Sequence, residues 1–308
     1  MSAAWGPAEA SGSGDTGLSR RDCLALVAAA GLGACTLHPD EDHAGADAPA
    51  SRPALAKPAH VAWVFSSGGP RGFVHVGVLK ALAELGLRPD LLVGASAGAL
   101  IGVLCASGLS ASRIEELALE VQALEWARLA LGSEARLSGA ALREWVDEQV
   151  PQQLLERLPT PMVCVAQRVD DQAPVGFNVG QVGLAVQAAA AIEGQFAPVR
   201  IRGRRYADAD LVMPLPVRLA RQWGASRVLA VDASAHEDRA PAGAERYRSG
   251  DLRKRALTRP DAQAADLVLH PDFGYWVSLS REFRQRAIEA GYRETLRQAG
   301  RLRELHAA

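Results

Sequence analysis

The chain has 308 residues, and its 34 lysine and arginine residues nearly balance 35 aspartate and glutamate residues, for a formal net charge of −1 at pH 7. Hydrophobic residues make up 48% and charged residues 22%, which are ordinary proportions for a globular protein. These values exclude a mainly disordered chain, a collagen and a multi-span membrane protein, and they predict no general attraction to nucleic acid.

Residues 1–35 have the features of an export signal, in the expected order. Arg20 and Arg21 precede a short apolar run that ends in small residues and is shorter than the roughly 20 residues needed to span a bilayer. The paired arginines resemble a bacterial twin-arginine signal, and Leu32-Gly33-Ala34-Cys35 resembles the lipobox of bacterial lipoproteins. The alternative is a short helical N-terminal extension with an ordinary cysteine.

The lipobox resemblance implies that Cys35 becomes the first mature residue and carries acyl chains. The protein is then expected to be an exported lipoprotein, anchored to a membrane and facing the periplasm or the cell exterior. Residues 36–58 contain Pro, Ala, Asp and His without any period, which predicts a disordered linker between this anchor and a single domain at 59–308.

From residue 60 onward the pattern predicts alternating strands and helices. A continuous apolar run at 61–65 predicts a buried parallel strand, and the apolar face over 73–85 predicts a helix that Gly86 ends. A second strand at 90–93 runs through a glycine-containing turn into a helix at 99–106. This βαβα start predicts an α/β fold with a parallel sheet wrapped by helices.

The remaining predictions concern shorter or weaker patterns. Helices are predicted at about 111–128, 138–149, 180–192 and 278–301, strands at 161–169, 227–231 and 265–270, and a hairpin over 200–206. The charged stretch at 234–262 contains Pro and Gly and is predicted to be a long exposed loop.

Gly94-x-Ser96-x-Gly98 lies between a predicted strand and a predicted helix, which is the pattern of a nucleophile elbow. In such an elbow the serine occupies a tight turn, and the flanking positions Gly94 and Gly98 must be small for strand and helix to approach. The helix N-terminus directs amide groups and a positive dipole end toward the site. Ser96 is therefore the candidate nucleophile.

The glycine-rich loop at 68–72 is the second candidate element. Its glycines let the backbone approach a ligand and turn amides toward a phosphate or a developing oxyanion. This loop has neither a G-x-G-x-x-G spacing nor a following Lys-Ser/Thr pair, which argues against a nucleotide site. An oxyanion hole fits better, with Gly68, Gly69, Arg71 and Gly72 as its residues. Pro70 has no amide hydrogen, so the donors are expected from Gly69, Arg71 or their neighbours.

These two elements together resemble the patatin-like phospholipases. In that family a G-G-x-R-G loop precedes the helix, G-x-S-x-G follows the next strand, and a later Asp-Gly-Gly or Asp-Gly-Ala supplies the second catalytic residue. Here the corresponding stretch is 206–217, with Tyr206 before Asp208 and Pro-Leu-Pro-Val at the start of a helix. Phe196-Ala197-Pro198-Val199 resembles the family's Phe-Pro-Pro-Val segment. The resemblance implies a three-layer α/β/α fold with a largely parallel central sheet.

The resemblance also implies a mechanism. Ser96 would attack an ester carbonyl, Asp208 would take its proton and later assist water, and the loop at 68–72 would hold the oxyanion. The implied activity is hydrolysis of carboxylic esters in acyl lipids, of phospholipase or lysophospholipase type, and no metal or organic cofactor is needed. The expected partners are a lipid or phospholipid substrate and the membrane surface reached through the lipid anchor.

One departure from the family pattern is Ala209-Asp210, where the family favours two small residues. If the backbone after Asp208 requires a positive φ, Ala209 is strained by roughly 1–2 kcal/mol. A carboxylate at Asp210 would also repel Asp208 and raise its pKa.

Two other interpretations stay open from the sequence. The order Ser96, Asp208, His270 is that of an α/β-hydrolase triad, and His270 ends a predicted strand. Alternatively, the altered segment after Asp208 leaves a catalytically impaired, membrane-tethered protein that only binds lipid or a partner.

Overall fold

The computed structural model describes residues 41–52, 55, 58–120 and 137–307. The predicted export signal, including Cys35, and the start of the predicted linker lie outside these described residues. Within these ranges, no helix combines the length and the apolar character needed to cross a bilayer.

A single mixed sheet forms the centre of the domain. Its strands are β1 (Asp42–His43), β2 (Val61–Phe65), β3 (Leu91–Ala95), β4 (Met162–Arg168), β5 (Pro174–Phe177), β6 (Val199–Ile201), β7 (Arg204–Asp208), β8 (Arg227–Val231) and β9 (Leu267–Leu269). Their order is β1-β6-β7-β4-β3-β2-β8-β9, and β5 pairs with β4 beside this path. The run β4-β3-β2-β8-β9 is parallel throughout, whereas β4–β7, β6–β7 and β4–β5 are antiparallel pairs.

Helices cover both faces of this sheet. They are α1 (Phe73–Glu84), α2 (Ala97–Ala106), α3 (Ala111–Glu120), α4 (Ala140–Gln149), α5 (Val182–Ala189), α6 (Val217–Gln222), α7 (Glu245–Ala264), α8 (Arg281–Arg297) and α9 (Ala299–Ala307). The last residue of α3, Glu120, is followed by residues that lie outside the described ranges. Positions 121–128 of the helix predicted at 111–128 therefore also lie outside them. The predicted C-terminal helix is divided at Gln298 into α8 and α9.

The strands alternate their side chains between two hydrophobic cores. Trp63 and Phe65 of β2 belong to the larger core with α1, α2 and α5, whereas Ala62 and Val64 face the smaller core with α6. Because both faces are covered, β2 and β3 are buried at every position, which explains their continuous apolar sequences. The predicted three-layer α/β/α fold with a largely parallel sheet is confirmed.

The structure differs from the sequence prediction over 234–262, where α7 stands in place of a long loop. The side of α7 that meets the domain carries Asp251, Lys254, Thr258 and Asp261, spaced at alternating steps of three and four residues. These polar side chains have partners: Asp251 accepts from the Tyr275 hydroxyl, and buried Asp261 binds the Arg218 guanidinium and amide. A helix whose inward face is polar has no apolar period, so a hydrophobic pattern does not identify it.

Part of the segment predicted as a disordered linker is ordered on the sheet. Asp42 and His43 pair in parallel with β6, the Ala50 amide donates to the Val179 carbonyl, and Ala48 is buried. The pairing satisfies backbone groups at the sheet edge, which a composition rich in Pro, Ala and Asp does not reveal. The domain therefore begins before residue 59, the boundary predicted from the sequence.

The predicted hairpin is present as β6 and β7, joined by two residues. Arg202 and Gly203 both have positive φ, 50° and 76°, as a two-residue type I′ turn requires. The hairpin brings Asp208 to the end of β7, where that strand pairs with β4 at Ala166.

Candidate active site

Ser96 occupies the tight turn that the sequence predicts. β3 ends at Ala95, α2 begins at Ala97, and Ser96 between them has φ 53° and ψ −124°. A positive φ at a residue with a side chain costs on the order of 1–3 kcal/mol, which the surrounding packing must offset. The Ser96 side chain is almost completely buried, with 4% exposure.

The two glycines of the elbow are required by space. A Cβ on Gly94 would lie 2.3 Å from the Gly98 carbonyl oxygen, and a Cβ on Gly98 would lie 2.3 Å from the Phe65 carbonyl oxygen. Both contacts are with backbone, which has little freedom to shift. The structure therefore gives the physical reason for the small residues on either side of Ser96.

Asp208 reaches the same region from the other half of the sheet. The Ser96 amide donates to the Ala189 carbonyl at 3.1 Å, and the Asp208 amide donates to the Ala191 carbonyl at 2.9 Å. The backbones of Ser96 and Asp208 are therefore both hydrogen-bonded to carbonyls at or just after the C-terminus of α5, where a helix leaves its carbonyls without internal partners.

The Asp208 carboxyl is buried and its pKa is strongly perturbed. The pKa of Asp208 is raised to about 7, mainly by burial and to a smaller extent by the Asp210 carboxylate, whereas the Ser96 hydroxyl, the Asp210 amide and the Lys254 charge act in the opposite direction. Oδ1 accepts a hydrogen bond from the Asp210 amide at 2.9 Å. Oδ2 makes no hydrogen bond of normal geometry to any described residue. This arrangement leaves one carboxyl oxygen available beside the serine.

The glycine turn lies directly against the elbow. A Cβ on Gly72 would come within 2.5 Å of the Ala97 Cβ, so the turn packs on the residue that follows Ser96. Gly69 has φ 51°, which a glycine adopts without strain. The backbone of the turn is therefore close enough to Ser96 to contribute amides to the same site.

The hydrogen bonds of this turn narrow the choice of oxyanion donors. The Arg71 amide is engaged, because it donates to the Gly68 carbonyl at 3.0 Å. Among the described residues none accepts from the amides of Gly68 or Gly69. Of the residues predicted for the oxyanion hole, Gly68 and Gly69 therefore keep amides that no described residue engages, whereas the Arg71 amide is already used within the turn.

The Arg71 side chain leaves the turn and packs on aromatic rings. Its guanidinium lies 5.6 Å from the centre of the Tyr275 ring and 5.9 Å from that of Phe273. Burial lowers the pKa of Arg71, and Asp251 and Tyr275 act in the opposite direction. The cation therefore ties the turn to the segment after β9.

An ion pair that sequence reasoning missed lies beside these elements. Lys254 of α7 contacts the Asp210 carboxylate, donates to Ser67 Oγ at 3.0 Å and lies 3.4 Å from the Ser67 carbonyl oxygen. Ser67 Oγ also donates to Asp210. The cation lowers the pKa of Asp210, although burial opposes this effect. The one indication of this ion pair in the sequence was Asp210 itself, because a buried carboxylate needs a cationic or hydrogen-bonding partner. Nothing in the sequence identified Lys254 as that partner.

The strain expected at Ala209 does not arise. Ala209 begins a short 3₁₀ helix, Ala209–Leu211, and is not among the described residues with positive φ. The repulsion expected from Asp210 is present, but burial is the larger cause of the raised pKa of Asp208.

His75 and His270, the two histidines closest to a catalytic interpretation, both contact backbone carbonyls. His75 is fully buried, its Nε2 lies 2.9 Å from the Ser66 carbonyl oxygen, and burial lowers its pKa to about 4. His270 stacks on His236 at 3.8 Å, and its Nε2 lies 3.1 Å from the Ser234 carbonyl oxygen. It follows β9, which is three strands from β3, a separation of about 14 Å at the usual strand spacing.

No cluster of three or more His, Cys, Asp or Glu side chains with the arrangement of a metal site occurs in the described part of the chain. The arrangement around Ser96 consists of a buried hydroxyl, a carboxyl with a pKa near neutrality and two backbone amides. These groups together are suited to nucleophilic attack on a carbonyl and stabilisation of an oxyanion.

Residues 63–221 match a family model described as Patatin-like phospholipase. An uncharacterized NTE family protein of Mycobacterium tuberculosis is 31% identical over 183 residues, which are 58% of this chain and 50% of that protein. Patatin-like phospholipase domain-containing protein 6 of Homo sapiens is 29% identical over 191 residues, which are 58% of this chain and 14% of that protein. The chain thus matches half or less of the length of these relatives.

A solved structure shows the same fold. The crystal structure of VipD from Legionella pneumophila superposes with a TM-score of 0.54 and 14% sequence identity, covering 79% of this chain and 67% of that one. The likeness at this identity concerns the fold alone.

Proposed function

Because this chain belongs to the patatin-like phospholipase family, we propose that it is a serine lipid acyl hydrolase that uses Ser96 and Asp208 as a catalytic dyad. The observation that carries the proposal is the placement of Ser96 on a strained elbow beside a buried Asp208 whose pKa is raised to about 7. Substrates of the proposed reaction are carboxylic esters of acyl lipids, of phospholipid or lysophospholipid type.

In the proposed mechanism Ser96 Oγ attacks the ester carbonyl while Asp208 accepts the hydroxyl proton. The tetrahedral oxyanion is held by the amides of Gly68 and Gly69, and one such donor is typically worth about 2.7–4 kcal/mol in the transition state. The alcohol leaves with the proton from Asp208, and an acyl group remains on Ser96. Water then attacks the acyl group, and Asp208 accepts a proton from this water. The bond between the acyl group and Ser96 Oγ breaks, the fatty acid leaves, and Asp208 returns the proton to Ser96 Oγ.

The surroundings of His270 favour the dyad over a triad. The contacts of this ring are with Ser234 and His236, and its strand lies on the far side of β2 and β8 from Ser96. A triad histidine would need to reach the serine hydroxyl directly. His270→Ala is therefore expected to retain turnover of esters.

The decisive experiment is product analysis on mixed phospholipids for the wild type, Ser96→Ala and Asp208→Asn. Fatty acid release is expected from the wild type and loss of release from both variants. A fluorophosphonate probe provides the second measurement, because it labels an activated serine without a lipid substrate. Equal release by all three proteins, or no labelling that depends on Ser96 in a folded protein, would favour the binding-only interpretation instead.

We further propose export and acylation at Cys35, as the order of features in residues 1–35 predicts. Fractionation of cells that express the full chain tests this proposal, with Cys35→Ser as the control. Membrane-bound wild type and released Cys35→Ser would support the anchor, and an identical distribution would contradict it.

A further inference from the structure

The exposed large apolar side chains of the described residues are concentrated around the candidate site. They lie in three segments: the turn after Asp208, the helix α7 and the loop after β9. They are Leu211, Tyr247, Leu252, Trp276, Val277 and Leu279, with exposures between 41% and 56%. Large exposed apolar side chains grouped beside a candidate site are typical of surfaces that bind a partner or a membrane.

Ring contacts connect this surface to the glycine turn. Arg71 of the turn packs on Tyr275, the Tyr275 ring meets Trp276 at 5.3 Å, and Trp276 meets Tyr247 at 5.8 Å between ring centres. The Tyr275 hydroxyl also donates to Asp251 of α7. A chain of ring contacts therefore connects the turn beside Ser96 to Tyr247 near the N-terminus of α7.

The outer surface of α7 is cationic. The helix has six basic and three acidic residues, and its inward face already uses Asp251, Lys254 and Asp261. Arg248 and Arg253 are exposed, lie on opposite flanks of this face, and make no ion pair within the described ranges. Both flanks therefore present positive charge next to apolar side chains, although the whole chain has a net charge of −1.

We propose that Tyr247, Trp276, Val277 and Leu279, with Arg248 and Arg253, form a face that docks on an anionic lipid bilayer. Tryptophan and tyrosine suit the boundary between hydrocarbon and water, because their rings are apolar and their N–H and O–H groups stay hydrated. Exposed arginines add attraction to anionic headgroups. The proposal deepens the proposed function, since docking would place the glycine turn and Ser96 at a surface that contains the acyl lipids.

Two features favour a bilayer over a protein partner. The apolar residues are single side chains on a helix and a loop, interspersed with arginines. The combination of aromatic rings with exposed arginines beside them matches the headgroup region of an anionic membrane.

The test uses the full chain carrying Cys35→Ser and Ser96→Ala, so that neither acylation nor hydrolysis affects binding. Co-sedimentation is measured with vesicles of phosphatidylcholine, with and without phosphatidylglycerol. We expect binding at least about tenfold tighter to the anionic vesicles, and loss of that preference in Arg248→Glu/Arg253→Glu. Arg88→Glu is the matched control, because Arg88 is exposed and precedes the amino end of β3, whereas Ser96 follows its carboxyl end, so this change should leave binding unchanged.

Trp276 supplies an independent readout. Vesicles with brominated acyl chains should quench the tryptophan fluorescence of the parent protein, and Trp276→Phe should remove much of this quenching while retaining most of the binding. Trp276→Ser should weaken binding several-fold. Equal binding to both vesicle types, or no contribution of Trp276 to quenching, would overturn the proposal. So would self-association that Trp276→Ser abolishes without any change in vesicle binding, because the face would then bind a second copy of the chain.

The failure of this proposal is separable from that of the proposed function. Hydrolysis is measured on the chain with Ser96 intact, using a soluble short-chain ester as well as vesicles. Anionic vesicle binding without any ester hydrolysis would refute the hydrolase and retain the docking face. Hydrolysis of the soluble ester without vesicle binding would refute the docking face and retain the hydrolase.

Discussion

Lys254 and Asp210 form an ion pair across the candidate site, between α7 and the short 3₁₀ helix that follows Asp208. The two charges act on Asp208 in opposite directions: the Lys254 cation lowers its pKa and the Asp210 carboxylate raises it. At position 210 the family favours a small residue, whereas this chain has an aspartate. Its carboxylate pairs with Lys254 of α7, which is distant in the sequence. Ser67, two residues before the glycine Gly69, binds both partners and ties the pair to the glycine turn.

The activity is expected to rise with pH through about 7. In the proposed mechanism Asp208 must be ionised to accept the Ser96 proton, and its pKa in the folded protein is raised to about 7, so the protonated form that cannot act as base dominates below that pH. The measurement is kcat/KM for a soluble ester as a function of pH, because this parameter reports the free enzyme. A profile flat across neutral pH would contradict the role of Asp208 as base.

Lys254→Met and Asp210→Asn are expected to move this profile in opposite directions. Removing the cation raises the pKa of Asp208 and shifts the acid limb to higher pH, whereas removing the Asp210 charge lowers the pKa and shifts it to lower pH. Activity at slightly acidic pH should accordingly fall several-fold in Lys254→Met. Arg88→Glu, far from the site, serves as the control for a general change of charge. Shifts of the same sign in both variants would show that structural disturbance, not charge, is responsible.

Gly72→Ala is expected to lower kcat by about 100-fold, the effect of losing an oxyanion donor. The added Cβ would lie 2.5 Å from the Ala97 Cβ, so the turn must move away from the elbow. Gly300→Ala is a matched control, since no heavy atom lies within 4 Å of its added Cβ and its φ is not positive. The comparison requires kcat together with thermal unfolding. An unchanged kcat in a folded Gly72→Ala protein would mean that the turn does not hold the oxyanion.

Asp208→Asn should change the pH dependence of stability in a defined direction. The ordinary pKa of an aspartate side chain is 3.8, whereas that of Asp208 in the folded protein is about 7, so the folded state binds the proton more tightly than the unfolded state. The contribution of Asp208 to stability is thus fully present below pH 3.8 and is lost as pH rises through 7. Urea unfolding of both proteins between these limits measures it. The unfolding free energy of the wild type, relative to Asp208→Asn, should decrease as the pH increases, and an increase would contradict a pKa of Asp208 that burial raises.

The central part of the fold and the elbow were predictable from the sequence, for a local reason. The runs at 61–65 and 91–95 are buried on both faces, so their burial appears as uninterrupted apolar residues. Gly94, Ser96 and Gly98 fall within five residues, and the tight contacts that require both glycines arise within one strand–turn–helix unit and the strand beside it. A steric constraint between residues that are close in the chain restricts which residue types can occur there, so the sequence pattern reveals it.

The resemblance to a family extended this prediction to Asp208, which composition and period do not distinguish from other aspartates. Its pKa depends on being buried at the end of β7, in the same region as the end of α5, and no stretch of sequence reports that burial. The sequence also left Arg71 among the amide donors, because the internal bond of the turn to the Gly68 carbonyl is visible only in three dimensions.

The α/β class, the order of the central strands and helices, and the turn that holds Ser96 follow from the amino-acid sequence, because short apolar runs and closely spaced glycines encode them locally. The helix at 245–264 and the contact of Lys254 with Asp210 became apparent only from the three-dimensional structure. That helix docks through polar side chains whose partners lie far away in the chain, so its stability comes from pairs that no local pattern contains.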